Sequence, residues 1–549
     1  MKLSYARRSA LMKIPGHVAT ERFVVGLHAV YGCVTVMIAV LASTLLAGET
    51  YKPEWKSLAR HKQAPEWFRD AKFGIYFHWG PYAVPSFGNE HYPRTMYGHV
   101  SGKTPKPKRP IKQGIGFQTY REHEFHIEKY GLPKNFEYHD FFPLFTAKKF
   151  NAEEWADIFF LAGAKFAGPV AMHHDGFAMW NSTATPWNSK LLGPKKDIVG
   201  EIAYAIRKRG MKFITTFHHA KVGRAAEEDT EKHRWHYLGR EKYLERESPK
   251  NVGRDDVELQ KLYGTLPWTE FLDLWRVLLS EAIDQYQPDI IWFDSWLDRI
   301  PARTQKEFLA EYFNAAERWG KDVVVTYKQE DLPSDVGVVD FEKGRLDTVT
   351  EYAWLTDDTI SAGSWTTTGS WSYTDELDIK PAKELLHTLI DIVSKNGNLL
   401  LNISPTPEGV IPDAQRESLL GMGTWLRANG EAIYGTRPFT TYGEGPKRLT
   451  SSGHFVEMSG EYTSENIRFT TKGRTIFAIQ LGWPGSQKRI AIKSLGRKQL
   501  GTRGIKSISV LDSPEEISWS LEEDVLNVTS PLVAPNEMAI CYRIETAGL

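Results

Sequence analysis

A (β/α)8-like barrel followed by a β-sandwich is the fold predicted for this chain, and three observations predict it. Short apolar runs alternate with amphipathic helical stretches over roughly 350 residues, the rhythm of parallel βα units. Several of these runs end in His, Asp, Glu or Lys, and a barrel carries its reactive groups at the C-terminal ends of its strands. From about Gly435 the texture changes to short alternating runs parted by Gly, Ser and Lys, as in antiparallel sheets. A doubly wound sheet is the alternative, but no Gly-rich fingerprint follows the first strand.

The chain opens with Arg7, Arg8, Lys13 and Arg22 ahead of an apolar run over 23–47. This reads as a secretory signal cleaved near Ala47, although the run is also long enough for an uncleaved membrane anchor. Residues 1–48 are therefore set apart as signal peptide or anchor, 49–436 as the catalytic domain and 437–549 as the sandwich. The expected location is periplasmic or extracellular. Cleavage leaves Cys541 alone, so no internal disulfide is expected. Lys plus Arg and Asp plus Glu are both 68, so no global field draws the chain to nucleic acid or, once the signal is cut, to membranes.

Residues 50–68 are polar and helix-prone, and KFGIYFHWG (72–80) is the first strand. A loop rich in Pro, Gly and Tyr follows, with Glu90 and His91, and continues into a basic stretch holding Lys103, Lys106, Lys108, Arg109 and Lys112. Helical periodicity covers 152–164, 197–208, 268–286, 308–319 and 380–395. Strands are expected at 168–174, 212–219, 289–293, 322–328, 337–342 and 398–404. Together with the first they make seven, close to the eight of a closed barrel. The charged stretch 221–254 reads as a long insertion. Beyond 437, the runs 468–471, 475–480 and 489–492 are the clearest sandwich strands.

The strand ends collect His78, His173, His174, His218, His219, Asp294, Lys328 and Glu342. Clustered His with Asp suits zinc, but adjacent histidines on a strand point to opposite sides, so at most one of each pair is expected to face the axis. Glycoside hydrolysis needs two carboxylates and a crowd of hydroxyl-binding side chains, which the 18 Trp and 23 Tyr of this chain favour. A metal-dependent barrel hydrolase and a catalytically inactive carbohydrate-binding protein are the competing readings.

An ordered set of motifs goes further: KFGIYFHWGPYAVPS (72–86), NEHYPRTMY (89–97), AGAKFAGPVAMHHDGFAMWNSTATPWN (162–188), GPKKDIVGE (193–201), QPDIIWFD (287–294) and NGNLLLNISPTPEGVIP (396–412). Over about residues 67–438 the chain resembles the family 29 alpha-L-fucosidases. The resemblance implies a barrel with a C-terminal sandwich, no metal or other cofactor, and retaining hydrolysis of alpha-L-fucosides on a fucosylated glycan or fucan oligosaccharide. It makes Asp294 the nucleophile, puts Trp292 beneath the sugar, and gives His78, Glu90, His173 and His174 to the fucose hydroxyls. His91 stands where the family often has Trp, His218 lies where many members have Tyr or Trp, and Lys328 replaces an Arg of several members. All three are expected to contact substrate. The acid/base drifts along the chain in this family; Glu342 is expected here, with Glu351 as the alternative.

Overall fold

The computed structural model describes residues 50–97, 119–223, 256–362, 370–456 and 461–547. The expected signal, the basic residues of 103–112 and nearly all of the charged insertion lie outside the described residues. Eight parallel strands close a barrel in chain order: β1 (Phe73–Phe77), β2 (Phe166–Met172), β3 (Lys212–Phe217), β4 (Ile290–Phe293), β5 (Val324–Lys328), β6 (Val338–Asp340), β7 (Trp354–Thr359) and β8 (Gly397–Ile403). Helices α1 (Ala152–Leu161), α2 (Ile198–Lys208), α3 (Trp268–Tyr286), α4 (Ala302–Trp319), α5 (Ala382–Ser394) and α6 (Asp413–Asn429) accompany it. Strands covered by helices are buried on both faces, which is why they read as continuous apolar runs.

Three elements differ from expectation. Strand β7, absent from the predicted set, carries Asp357 and Asp358 mid-strand, yet all six of its residues are buried. Lys328 holds Asp357 at 3.1 Å and Lys380 holds Asp358 at 3.0 Å, so paired charge hides a core strand inside a polar pattern. Helix α4 begins at Ala302 rather than 308, because its first turns, ARTQKE, show no apolar periodicity. Asp197 is the N-cap of α2 and not its first residue, its Oδ1 accepting from the Gly200 N–H at 2.9 Å.

Side chains alternate across a strand, and this alternation builds the site. Tyr76, Ile214, Trp292, Val324, Val338, Leu355 and Leu400 point inward and plug the barrel with Phe68, Phe166 and Trp371. Two or four residues further along the same inward faces stand His78, His218, Asp294, Lys328, Glu342, Asp357 and Asn402. An apolar plug thus carries a polar layer on top of it. Strand β2 reaches that layer by an extra residue: Val170 pairs with Thr216 but Met172 pairs with Phe217. The bulge shifts the phase by one and turns His173 inward.

The C-terminal region is antiparallel, as expected. Strands β9 (Arg437–Glu444), β10 (Ile467–Lys472), β11 (Thr475–Gln480), β13 (Gly504–Val510) and β16 (Ile540–Ala547) form one sheet in the order β13-β16-β11-β10-β9. Strands β12 (Arg489–Ile492), β14 (Trp519–Leu521) and β15 (Leu526–Thr529) form a second. Phe469, Ile476, Leu526, Val528 and Ile544 are the middle of their shared core. Asp391 of α5 joins this region to the barrel: its Oδ1 takes the Arg468 Nε of β10 at 2.6 Å and its Oδ2 the Lys395 Nζ at 2.7 Å, all three buried.

Candidate active site

All ten residues expected at a site line one cavity of about 210 Å³ over the C-terminal ends of the strands. Asp294 follows β4 and is held by three cations or potential cations: Lys328 Nζ at 3.2 Å from Oδ1, His218 Nδ1 at 3.1 Å from Oδ2, and Lys221 in close contact with Oδ2. Burial opposes ionisation of Asp294, but Lys221, Lys328 and His218 outweigh it and hold the carboxyl well below the usual range. Asp294 is a stable anion facing an enclosed space, the state a nucleophile needs.

Lys328 ends β5 and reaches a second acid, Glu342, at 2.9 Å from Oε2. Sharing one ammonium, the facing oxygens of Asp294 and Glu342 are no more than about 6 Å apart. Burial works against the charge on Lys328, but Asp357, Glu342, Asp294 and Asp340 push its pKa well above the lysine range. A lysine here is a fixed cation and not a proton carrier. Trp292, two residues before Asp294, lies 4.8 Å from the same ammonium and donates its Nε1–H to Asp340 Oδ2 at 2.6 Å. The floor of the cavity is thereby locked in orientation.

The histidines are neutral. Burial depresses His78, His91, His173, His174 and His218, so each offers a donor and an acceptor. The tautomer of His78 follows from its neighbour. Asn402 Oδ1 accepts from both the backbone N–H and Nδ1 of His78, at 2.9 and 2.8 Å, while its Nδ2 donates to the Trp371 carbonyl at 2.7 Å. Nδ1 therefore carries the proton and Nε2 is left as an acceptor. His91 Nδ1 meets His174 Nε2 at 2.8 Å with the rings stacked, so this departure from the family pattern is tied into the site. Glu90 accepts from the Trp371 N–H at 3.0 Å, and burial pushes its pKa up to about 7.

Two expectations about facing need correction or separation. The rule that at most one of an adjacent pair faces the axis fails for His173 and His174, which both line the cavity. Strand β2 ends at Met172, so strict alternation no longer governs the two residues after it. It holds for the other pair: His219 stacks on Trp275 at 5.6 Å, outside the cavity, while His218 lines it. Of the two candidate acids, Glu342 lines the cavity and Glu351 is exposed outside it.

The sequence reading missed Lys221, Asp357, Trp371 and Phe455, which also line the cavity. Asp357 could have been found only by recognising β7. Lys221 and Phe455 sit in segments whose local pattern gives no sign of where they fold.

Nitrogens of His78, His173 and His218 lie within 4.8 Å of one another, the grouping best placed to hold a metal ion among the described residues. Three neutral histidines are a donor set that zinc can use, so this trio is where a metal-dependent hydrolase would seat its ion.

Two acids over an aromatic floor at the mouth of a closed parallel barrel define a glycoside hydrolase. Comparison with known proteins makes this specific. The Alpha-L-fucosidase family model matches residues 38–431 and the Alpha-L-fucosidase C-terminal domain model matches residues 460–544. The chain is 29% identical to the tissue alpha-L-fucosidase of Rattus norvegicus, covering 93% of this chain and 95% of that one. It is 31% identical to the plasma alpha-L-fucosidase of Homo sapiens, covering 89% and 90%. The structure of the Thermotoga maritima alpha-fucosidase in complex with fucose superposes with a TM-score of 0.66 at 28% identity, covering 90% of this chain and all of that one. The chain belongs to the alpha-L-fucosidase family and is a glycoside hydrolase.

Proposed function

We propose that this chain is an exported, retaining alpha-L-fucosidase that removes terminal alpha-L-fucosyl residues from glycans or fucose-containing polysaccharides. The observation that carries this reading is the single ammonium of Lys328 shared by Asp294 and Glu342 in one cavity. In the first step an Asp294 oxygen bonds to the anomeric carbon while the glycosidic C–O bond breaks, and Glu342 gives its proton to the departing oxygen. In the second, Glu342 takes a proton from water, whose oxygen displaces Asp294 and releases fucose with its configuration retained. His78, Glu90, His91, His173, His174 and His218 surround the sugar hydroxyls, and Trp292 lies under the ring. Export rests on the basic and apolar N-terminal stretch. It is tested by the N-terminal sequence and cell fraction of the mature protein.

The chemical test uses leaving groups of different acidity. Glu342→Ala is expected to slow release of a sugar by on the order of 10²–10⁴-fold while nearly sparing the first step on an aryl fucoside with an acidic phenol, whose covalent intermediate on Asp294 then accumulates as a burst. Glu351→Ala is expected to show no such dependence; the reverse pattern exchanges the two roles. Activity that survives a strong chelator disposes of a metal-dependent reading through the histidine trio.

A further inference from the structure

Residues 451–456, between β9 and β10 of the C-terminal region, lie along the loop that carries Glu342. The contacts are continuous. The Ser452 hydroxyl accepts from the Asp347 N–H at 2.9 Å and donates to Asp347 Oδ1 at 2.6 Å. The Gly453 N–H donates to the Arg345 carbonyl at 3.1 Å, within an antiparallel bridge between the two residues. A Cβ on Gly344 would sit 2.2 Å from the Gly453 oxygen, so the two backbones meet closely only because residue 344 has no side chain.

Glu342 itself is gripped on both sides. Its N–H donates to His454 Nδ1 at 3.0 Å and its carbonyl accepts from the Phe455 N–H at 2.8 Å. The His454 ring also packs on Phe341 at 5.6 Å. Phe455 lines the cavity, is 46% exposed and has φ of 57°, a conformation that crowds a bulky side chain. Trp296 and Gln329, which also line the cavity, share that left-handed conformation at φ 80° and 58°. An apolar ring held out to solvent in a strained conformation, beside the acid of a sugar-cleaving site, is built for contact.

We infer that the C-terminal domain completes the leaving-group side of the active site, with Phe455 a platform for the sugar unit being expelled and His454 a positioning residue for Glu342. The inference deepens the proposed function, since it takes Glu342 as the acid/base. The cavity below holds the fucosyl ring. The expelled sugar emerges at the rim, where its C–H face lies on Phe455 and its bridging oxygen meets Glu342.

The test compares a fucosylated disaccharide with alpha-L-fucosyl fluoride, whose leaving group has no ring and needs no proton. Phe455→Ala is expected to lower kcat/KM on the disaccharide about tenfold, the scale of one lost aromatic contact, and to leave the fluoride unchanged. Phe455→Trp restores the disaccharide rate. His454→Ala is expected to lower kcat/KM on the disaccharide about tenfold, part of the roughly 10²–10⁴-fold a general acid supplies, again sparing kcat/KM on the fluoride. His454→Asn, whose Oδ1 can accept the same N–H, recovers the rate. Equal losses on both substrates, or no loss on either, overturn the inference. If Glu342→Ala itself lowers kcat/KM on both substrates alike, the acid/base assignment has failed instead, and that result is read independently of the two variants.

Discussion

Asp391 and Lys328 are both fully buried ions gripped by partners of opposite sign, yet one belongs to the frame and the other to the site. Around Asp391 the set is closed. One carboxylate spends one oxygen on Arg468 and the other on Lys395, and although burial opposes its charge, Lys395, Arg468 and Arg345 drive its pKa far down. Around Lys328 the set is crowded. One ammonium serves Asp294, Glu342 and Asp357 at 3.2, 2.9 and 3.1 Å. The pKa values of Asp340 and Asp357 are raised, by burial first and, for Asp357, by Asp340 beside it. The difference lies in the surroundings and not in the pairing: the first cluster is sealed between α5 and β10, the second opens on a cavity. Perturbed charge marks function only where a substrate can reach it.

Breaking the closed cluster gives the largest effect on stability. Asp391→Ala leaves Arg468 and Lys395 buried without a counter-ion, and the expected loss is about 3–5 kcal/mol in chemical denaturation. Turnover per folded molecule should be unchanged. Lys328→Met is the mirror experiment: the fold is retained, while kcat falls on the order of 10²–10³-fold as a fixed charge leaves the reacting pair. Its pH profile gives the sign. Lys328 holds the Asp294 pKa down, so its removal raises that pKa and the acidic limb of kcat/KM moves to higher pH.

A smaller effect separates Glu90 from both clusters: among the described residues it pairs with no lysine or arginine, and His91, whose Nε2 lies 3.4 Å from its Oε1, is kept neutral by burial. Burial raises its folded pKa from 4.5 to about 7. A raised carboxyl favours the folded state only while protonated, so its contribution is full below pH 4.5 and is lost as pH rises through about 7. Melting temperatures of the wild type and Glu90→Gln should therefore diverge across that window, the wild type falling relative to the variant. Parallel curves would place the titration elsewhere.

Most of this was legible in the chain because barrel strands carry their chemistry two residues past their apolar cores. Trp292 and Asp294, and Tyr76 and His78, are such steps, and each can be read from alternation alone. Strand β7 was not legible, since pairing of Asp357 and Asp358 with distant lysines cannot be seen along the sequence. Nor could the sequence reveal the bulge in β2 or the return of His454 and Phe455 to Glu342, a separation of more than 100 residues. Periodicity reports which face a residue occupies, while long-range pairing decides which faces meet.

The central claim is that Asp294 is the nucleophile of a double displacement, and chemical rescue of Asp294→Gly tests it most directly. The variant should fold as the wild type does and lose nearly all turnover of an activated alpha-L-fucoside. Added azide should occupy the vacated space, restore part of the rate and give a fucosyl azide of inverted configuration. Normal hydrolysis by Asp294→Gly, or an azide product of retained configuration, would contradict the account.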